Sequence, residues 1–299
     1  MTIRPASTER LAAYLEAHRP VIDAALDGYL PPPEGPIARL AEAMRYSVFA
    51  GGKRLRPMLV LLASDLCGGQ QAHAVPPACA LELVHTYSLI HDDLPAMDDD
   101  DFRRGRPSCH KAFGEAAAVL AGDALLTLAF AIVAQPPVAH LAAPLVTELA
   151  HAAGHGGMLG GQIADVEAEG TGPSAETVDF IHHHKTAALI AACLRLGAIA
   201  AGADEATLAR LGRFGRHVGL AFQIADDALD VEASSKQLGK TAGKDATQGK
   251  VTYPAVYGLE ETHRRAAALI GQALDELAPF GPSADLLRDV AHYVVSRNT

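Results

Sequence analysis

Two aspartate clusters, DDLPAMDDDD from Asp92 to Asp101 and DDALD from Asp226 to Asp230, each close an apolar stretch with helical patterning. Crowded carboxylates repel one another and raise their own pKa values unless a cation neutralises them. Two such clusters in one chain point to a shared polyvalent cation site, and donors that are all oxygen point to Mg2+ bridging a phosphorylated substrate. A solvated acidic patch is the plainer explanation of one cluster alone. A second cluster, and basic residues to match, weigh against it.

The basic partners are concentrated. GGKRLRP supplies Gly52, Lys53, Arg54 and Arg56; Arg103, Arg104 and Arg106 follow the first aspartates; Lys185 and Lys240 stand farther along. Arginine offers forked donors and lysine a mobile point charge to phosphate oxygens, so a site with metal and both kinds of cation suits two diphosphates. For RRGR the bland alternative is a loop paired with its own aspartates.

Helices must aim these groups. At about 100 degrees per residue, Gln223, Asp226, Asp227 and Asp230 share one stripe through i+3, i+4 and i+7 relations. His85 and Asp92 are seven apart and nearly eclipsed, with Ser88 and Leu89 between them on the same side. Asp98 cannot share a straight helical face with Asp92, but Pro95 disfavours helix at Leu94 and can curl the chain back to bring both carboxylates together.

Elsewhere apolar residues recur at helical spacing, and Ala, Leu, Glu and Arg dominate the long segments, so strands are expected to be scarce or absent. Pro/Gly punctuation at 31–36, 68–77, 135–144, 170–173 and 279–285 separates segments of helical length. This predicts an all-α, single-domain bundle of roughly ten or more helices. No linker interrupts residues 1–299, which read as one domain. The longest polar interruption, Glu232 to Lys250, follows the second cluster and is either a lid or a solvated connector.

At 49% hydrophobic and 20% charged, the chain has ample material for a core. A formal net charge of -10 argues against non-specific nucleic-acid binding. Cys67, Cys79, Cys109 and Cys193 form no C-x-x-C pair, as expected of reduced thiols in cytosol. The N-terminal segment lacks a signal-peptide pattern, and Ala124 to Ala134 falls below the ~18 apolar residues a membrane span needs. The expectation is a soluble, cytoplasmic protein without stable membrane insertion.

Other signals are weaker. LGKT at 238–241 lacks the upstream glycine and strand of a phosphate-binding loop. His182, His183 and His184 are consecutive and cannot all face one ion on a helix; His151 and His155 lack the glutamate of a zinc-protease motif. The glycines of residues 155–170 imply close approach of a helix or ligand, with Gln162 and Asp165 the polar residues to watch there.

FAGGKRLRP, ELVHTYSLIHDDLPAMDDDDFRRGRPSCH, LAGDALLTLAF, GGQIADVEAEG, HKTAALI, AFQIADDALDV and LGKTAGKD with GKVTYP occur in an order and spacing that nearly end to end resembles the short-chain trans-prenyl diphosphate synthases, most nearly the bacterial enzymes of farnesyl length. The resemblance implies an all-α fold around a central cavity, usually a homodimer, that condenses isopentenyl diphosphate head to tail with an allylic diphosphate. It implies three Mg2+ ions on Asp92, Asp98 and Asp226, with Asp93, Asp227 and Asp230 as direct or water-mediated support. Lys185, Lys240, Arg103, Thr186 and Gln223 match positions that hold the allylic diphosphate. Gly52, Lys53, Arg56, His85 and Arg104 match the metal-free isopentenyl diphosphate site.

Product length would be set where the growing chain meets a bulky residue below Asp92, and Tyr87, with Ser88 beside it, matches the farnesyl-length floor. Ideal helical geometry puts Tyr87 about 140 degrees from Asp92, so this assignment rests on the family likeness. Ala187 stands where near relatives carry glycine, and Phe102 and Arg106 vary within the arginine loop. A geranyl- or geranylgeranyl-length product is the alternative within the family. A class I terpene cyclase fits less well, because GGKRLRP and DDALD are not its motifs. A non-catalytic partner subunit fits less well because the aspartates, both lysines and Gln223 are intact.

Overall fold

The structure is a computed structural model and describes residues 5–170, 172, 174–236 and 252–296. Helices make up nearly all of it: α1 (Pro5–Tyr29), α2 (Ala38–Val48), α3 (Leu55–Leu66), α4 (Gln71–Asp92), α5 (Cys109–Phe113), α6 (Glu115–Val133), α7 (Ala142–Ala153), α8 (Met158–Ala168), α9 (Ala175–Ile181), α10 (Ala188–Ala200) and α11 (Glu205–Lys236), then α12 (Tyr253–Tyr257), α13 (Leu259–Glu276) and α14 (Asp285–Ser296). The all-α bundle expected from the apolar periodicity is what the chain forms.

Helices α4, α10 and α11 organise the bundle. α4 packs against α3, α6 and α10, and α11 packs against α10 and α13. α10 has hardly a polar face, with Leu189 through Leu194 and Leu196 through Ala200 all buried, as befits a helix enclosed on every side. Two apolar cores result. The larger runs from α1 through α14 and contains Tyr87 and Ile90 of α4. The smaller joins Ala168, Val178, Ile181, Ala187, Leu220, Ile224, Tyr253 and Ala266 against the middle of α11.

The structure departs from the punctuation reading in several places. Pro76 and Pro77 are buried inside α4 as its sixth and seventh residues, past the first turn, so each forfeits a backbone bond to the carbonyl four residues before. The helix runs on through them because it is packed into the core on both sides of the pair. Helix α11 continues through Lys236, so the polar interruption begins later than Glu232, and its remainder, residues 237–251, lies outside the described residues.

The arginine loop is a tight hairpin rather than an irregular loop. Phe102–Arg103 pairs antiparallel with Arg106–Pro107, and Arg104 and Gly105 both take positive φ (54° and 75°), the two-residue turn that matches strand twist. Helix α6 corrects the membrane estimate. Its 19 residues are long and apolar enough to cross a bilayer by length and composition, although Ala118, Ala121, Gly122, Leu125, Ala129, Ile132 and Val133 are buried in the bundle.

Candidate active site

The first aspartate cluster sits where α4 ends. Its last helical residue is Asp92, and Pro95 stops the helix, as the restriction on the residue before proline requires. The chain then turns back, with the Asp98 amide donating to the Asp92 carbonyl at 2.8 Å and the Asp100 amide to the Asp93 carbonyl at 3.2 Å. Asp92 and Asp98 thus lie side by side, as the Pro95 argument requires. Burial, together with the negative charge of Asp98 and Asp93, raises the Asp92 carboxyl to about 6, although Lys185 and Arg103 pull the other way. An oxygen-only cluster so short of positive charge fits a hard divalent cation.

Asp93 has a different role. It is 2% exposed, and Arg103 from the hairpin donates to its Oδ1 through Nε at 2.9 Å and also through Nη2. The hairpin therefore hangs on Asp93, and Arg103 lies between that carboxylate and Asp100, whose Oδ2 is 3.6 Å away. The neighbouring Arg104 donates to the Gly51 carbonyl, and its guanidinium occupies the space a Cβ on Gly52 would need, 2.3 Å from Nη1. Gly52 is required there both by that approach and by its φ of +120°. A solvent-open cleft with about 380 Å³ of empty space runs beside the hairpin, bounded in part by Leu89, Asp93, Arg103 and Arg104.

Arg56, His85 and Arg104 form the basic pocket of this wall. Arg56 Nη1 lies 3.2 Å from His85 Nε2, an arrangement in which arginine donates and the other imidazole nitrogen carries the proton. Burial, then the charge of Arg56, Arg104 and Arg103, holds His85 well below the usual histidine range, so it stays neutral. The Arg56 Nε is buried with no partner among the described residues, a donor awaiting an acceptor. Lys53 is exposed and reaches the Tyr293 hydroxyl of α14 at 2.9 Å.

Arg54, grouped with the basic residues on sequence, belongs to the core instead. Positive φ at the start of α3 (51°) directs it inward, where it donates to Asp23 at 2.9 Å, Glu82 at 2.7 Å and the Val48 carbonyl at 2.8 Å. Removing Glu82 would strand a buried cation. Arg106 likewise covers the Tyr46 ring, 4.3 Å from its centroid, rather than joining the pocket.

The second wall is the straight part of α11, with Gln223, Asp226, Asp227 and Asp230 on the stripe their spacing dictates. Asp226 is partly buried and Asp230 exposed, whereas Asp227 is 6% exposed. Asp227 accepts from Gln223 Nε2 at 3.2 Å and from the Tyr253 amide at 2.9 Å, and His182 Nε2 stands 3.3 Å from its Oδ2. His182 is pushed down to about 3 by burial and is neutral; its ring stacks on Tyr253, whose hydroxyl donates to Asp179.

Between the walls runs a π-helical turn, His182–Ala187, which widens the helix and presents Lys185 and Thr186. Thr186 Oγ1 donates to Gln223 Oε1 at 3.0 Å, tying the turn to α11. Lys185 Nζ is 2.5 Å from Asp165 Oδ2 on α8, and its charge also acts on Asp92 across the site. The glycines of residues 155–170 owe part of their presence to this turn: a Cβ on Gly161 would fall 2.2 Å from the Lys185 amide nitrogen. Gln162 beside it is 8% exposed with its Nε2 unpartnered.

Tyr87 is 3% exposed on α4, its hydroxyl buried without a hydrogen-bond partner among the described residues. Burial, then the charge of Asp92, raises it to about 12. Ser88 donates to the His85 carbonyl at 2.9 Å. Lys240 lies outside the described residues. Sequence reasoning gave no role to His182, Asp179 or Tyr253. The last lies within GKVTYP, a motif that carried part of the resemblance, and that was the signal available.

A helical bundle that carries one aspartate cluster at the end of α4, another along α11, and a basic pocket beside the first has the make-up of an isoprenoid synthase. The polyprenyl synthetase family profile matches residues 37–278, and the chain belongs to that family. A dimethylallyltranstransferase of Fischerella ambigua is 48% identical over 97% of this chain and 85% of its own. A geranylgeranyl diphosphate synthase of Cyanophora paradoxa is 42% identical over 99% of this chain and all of its own. The structure of an FPP/GFPP synthase from Zymomonas mobilis superposes with a TM-score of 0.87 at 42% identity, covering 96% of this chain and 99% of that one. The chain is a trans-prenyl diphosphate synthase.

Proposed function

We propose that the chain condenses isopentenyl diphosphate with dimethylallyl and then geranyl diphosphate, releasing pyrophosphate and farnesyl diphosphate. The observation that carries the product length is Tyr87, a bulky ring buried on α4 below Asp92. A geranylgeranyl product is the second reading, favoured by the names of several relatives. Chromatography of the chain made from isopentenyl and dimethylallyl diphosphates tests this. A dominant C15 product is expected, and a dominant C20 product would overturn it.

Asp92, Asp98 and Asp226 would hold Mg2+, three ions per site, with Asp230 in support and with Asp93 and Asp227 acting as struts through Arg103 and the Tyr253 amide. The ions supply positive charge that favours departing pyrophosphate over the intact ester. Lys185, Thr186, Arg103 and Gln223, with Lys240, bind and orient the allylic diphosphate. For Lys185 this means exchanging Asp165 for phosphate oxygens.

Gly52, Lys53, Arg56, His85 and Arg104 hold isopentenyl diphosphate, and a neutral His85 can donate to it from the ring nitrogen that Arg56 does not engage. The allylic carbon–oxygen bond breaks with both electrons leaving on pyrophosphate. The double bond of the aligned partner then forms the new carbon–carbon bond, and a proton lost to pyrophosphate restores an alkene. The chain's remaining task is to keep water from the cation. A homodimer is proposed on the outward side of α6, where Val119 and Leu120 are exposed at 39% and 58%.

A further inference from the structure

The Tyr87 ring on α4 is packed against a second aromatic side chain, His91. The two are i and i+4 on α4, so they lie one above the other on one face. Their rings meet edge to face, with centroids 5.7 Å apart and planes at 79°. Such a pair fixes the direction of an aromatic ring more than it adds affinity. The contact matters for the tyrosine, because among the described residues nothing hydrogen-bonds its buried hydroxyl to orient it.

His91 is itself anchored to α6 at two points. Its Nε2 lies 3.1 Å from the Val119 carbonyl, a contact that requires that nitrogen to carry the proton. Its ring also lies flush against Gly122, where an added Cβ would come within 2.2 Å of Nε2 and 2.6 Å of Cδ2. A glycine inside an apolar helix costs about 1 kcal/mol relative to alanine, and here it makes room for the imidazole.

We infer that His91, wedged between Tyr87 and Gly122 of α6, is a positioning residue for product length, holding the tyrosine ring across the path of the growing chain. This rests on the reading of Tyr87 as the floor. The allylic substrate it excludes is the C15 diphosphate itself, one isoprene unit longer than the longest allylic substrate normally extended. His91 does not touch the reacting atoms; it acts through Tyr87.

The test measures the ratio of C20 to C15 product for the full-length protein carrying His91→Leu, His91→Phe, Tyr87→Ala, and His91→Leu with Tyr87→Ala. The ratio is insensitive to how much protein folds, and a purely structural role for His91 would leave it unmoved. His91→Leu is expected to raise the ratio roughly three- to ten-fold, the span that an aromatic pair's orientation energy allows. His91→Phe, which keeps a ring but loses the bond to Val119, should restore most of the original ratio. The double variant should match Tyr87→Ala alone.

An unchanged ratio in His91→Leu, with Tyr87→Ala lengthening the product, would overturn the positioning role and leave the floor intact. If neither variant changes the ratio, the floor reading fails and this inference falls with it. A double variant that makes distinctly longer product than Tyr87→Ala would also overturn it, since His91 would then act independently.

Discussion

The two acid walls differ in construction. The first is a broken helix end: α4 stops at Asp92, a turn folds Asp98 back onto it, and the arginine hairpin closes over the top. The second is an unbroken helix whose stripe presents all its polar groups at once. In both, the second carboxylate of the adjacent pair is the buried one and is committed to protein, Asp93 to Arg103 and Asp227 to the Tyr253 amide, Gln223 and His182. Each doubled aspartate here is therefore one more accessible carboxylate and one strut.

The foundations differ as well. The first wall grows from the large core, and Tyr87 and Ile90 of the same helix are part of it. The second wall stands on the small cluster around Leu220, Ile224 and Tyr253. Tyr253 opens the chain again after residues 237–251 and braces Asp227 by its amide and Asp179 by its hydroxyl. The second wall has less apolar burial beneath it and should be the easier one to loosen.

That contrast can be broken most forcefully at the ligands. Asp92→Ala and Asp226→Ala should each lower kcat/KM on the order of 10³-fold or more with the helical circular dichroism intact. Steady-state assays in Mg2+ check this, and a wall whose variant still turns over is not a metal wall. The struts should behave differently. Asp93→Asn and Asp227→Asn should lose about 10- to 100-fold in activity and also lower the melting temperature, since each leaves buried donors poorly matched.

Stability against pH sharpens the distinction between ligand and strut. The Asp92 carboxyl is a weaker acid folded, about 6, than its ordinary value of 3.8, so the folded chain binds that proton more tightly. Its ionised form therefore costs stability, fully above about pH 6 and not at all below about pH 4. In chelator, Asp92→Asn should stabilise the protein at pH 7 by about 1–3 kcal/mol, and the gain should vanish near pH 4. Thermal melts across that range check it, and Asp93→Asn should show no such gain.

Next in size is the foundation. Ile224→Ala removes a fully buried side chain from the small core and should cost about 1–4 kcal/mol, with amide exchange rising first around α11 and α12. Exchange that rises uniformly over the bundle would contradict the idea of a separable second wall. The smallest effect is expected at Tyr293→Phe, which frees the exposed Lys53 from its hydroxyl. It should change the KM for isopentenyl diphosphate by roughly two- to three-fold and leave the melting temperature nearly unmoved.

The second wall was legible in the sequence because a straight helix converts spacing directly into geometry. Gln223, Asp226, Asp227 and Asp230 needed no tertiary information. The first wall was half legible: Pro95 announced the turn, but nothing local showed that Arg103 would take Asp93 or that Arg104–Gly105 would form a hairpin. Arg54 was misplaced because its inward course depends on a left-handed backbone angle and on Glu82 and Asp23, which lie on other helices. The π-helical turn was illegible too, since an extra residue in a helix is held there by packing, here by Gly161 against Lys185. Pro76 and Pro77 misled because burial in the core carries α4 through the two backbone bonds they forfeit, and burial is not written locally.

The account stands on the two walls acting as one site. Crystals grown with pyrophosphate and Mn2+ in place of Mg2+ test this most directly through anomalous density. The account predicts ions touching Asp92 and Asp98 on one side and Asp226 on the other, with the pyrophosphate between them and Lys185 turned from Asp165 toward it. Ions confined to one wall, or pyrophosphate held by the hairpin arginines with no ion at Asp226, would contradict it.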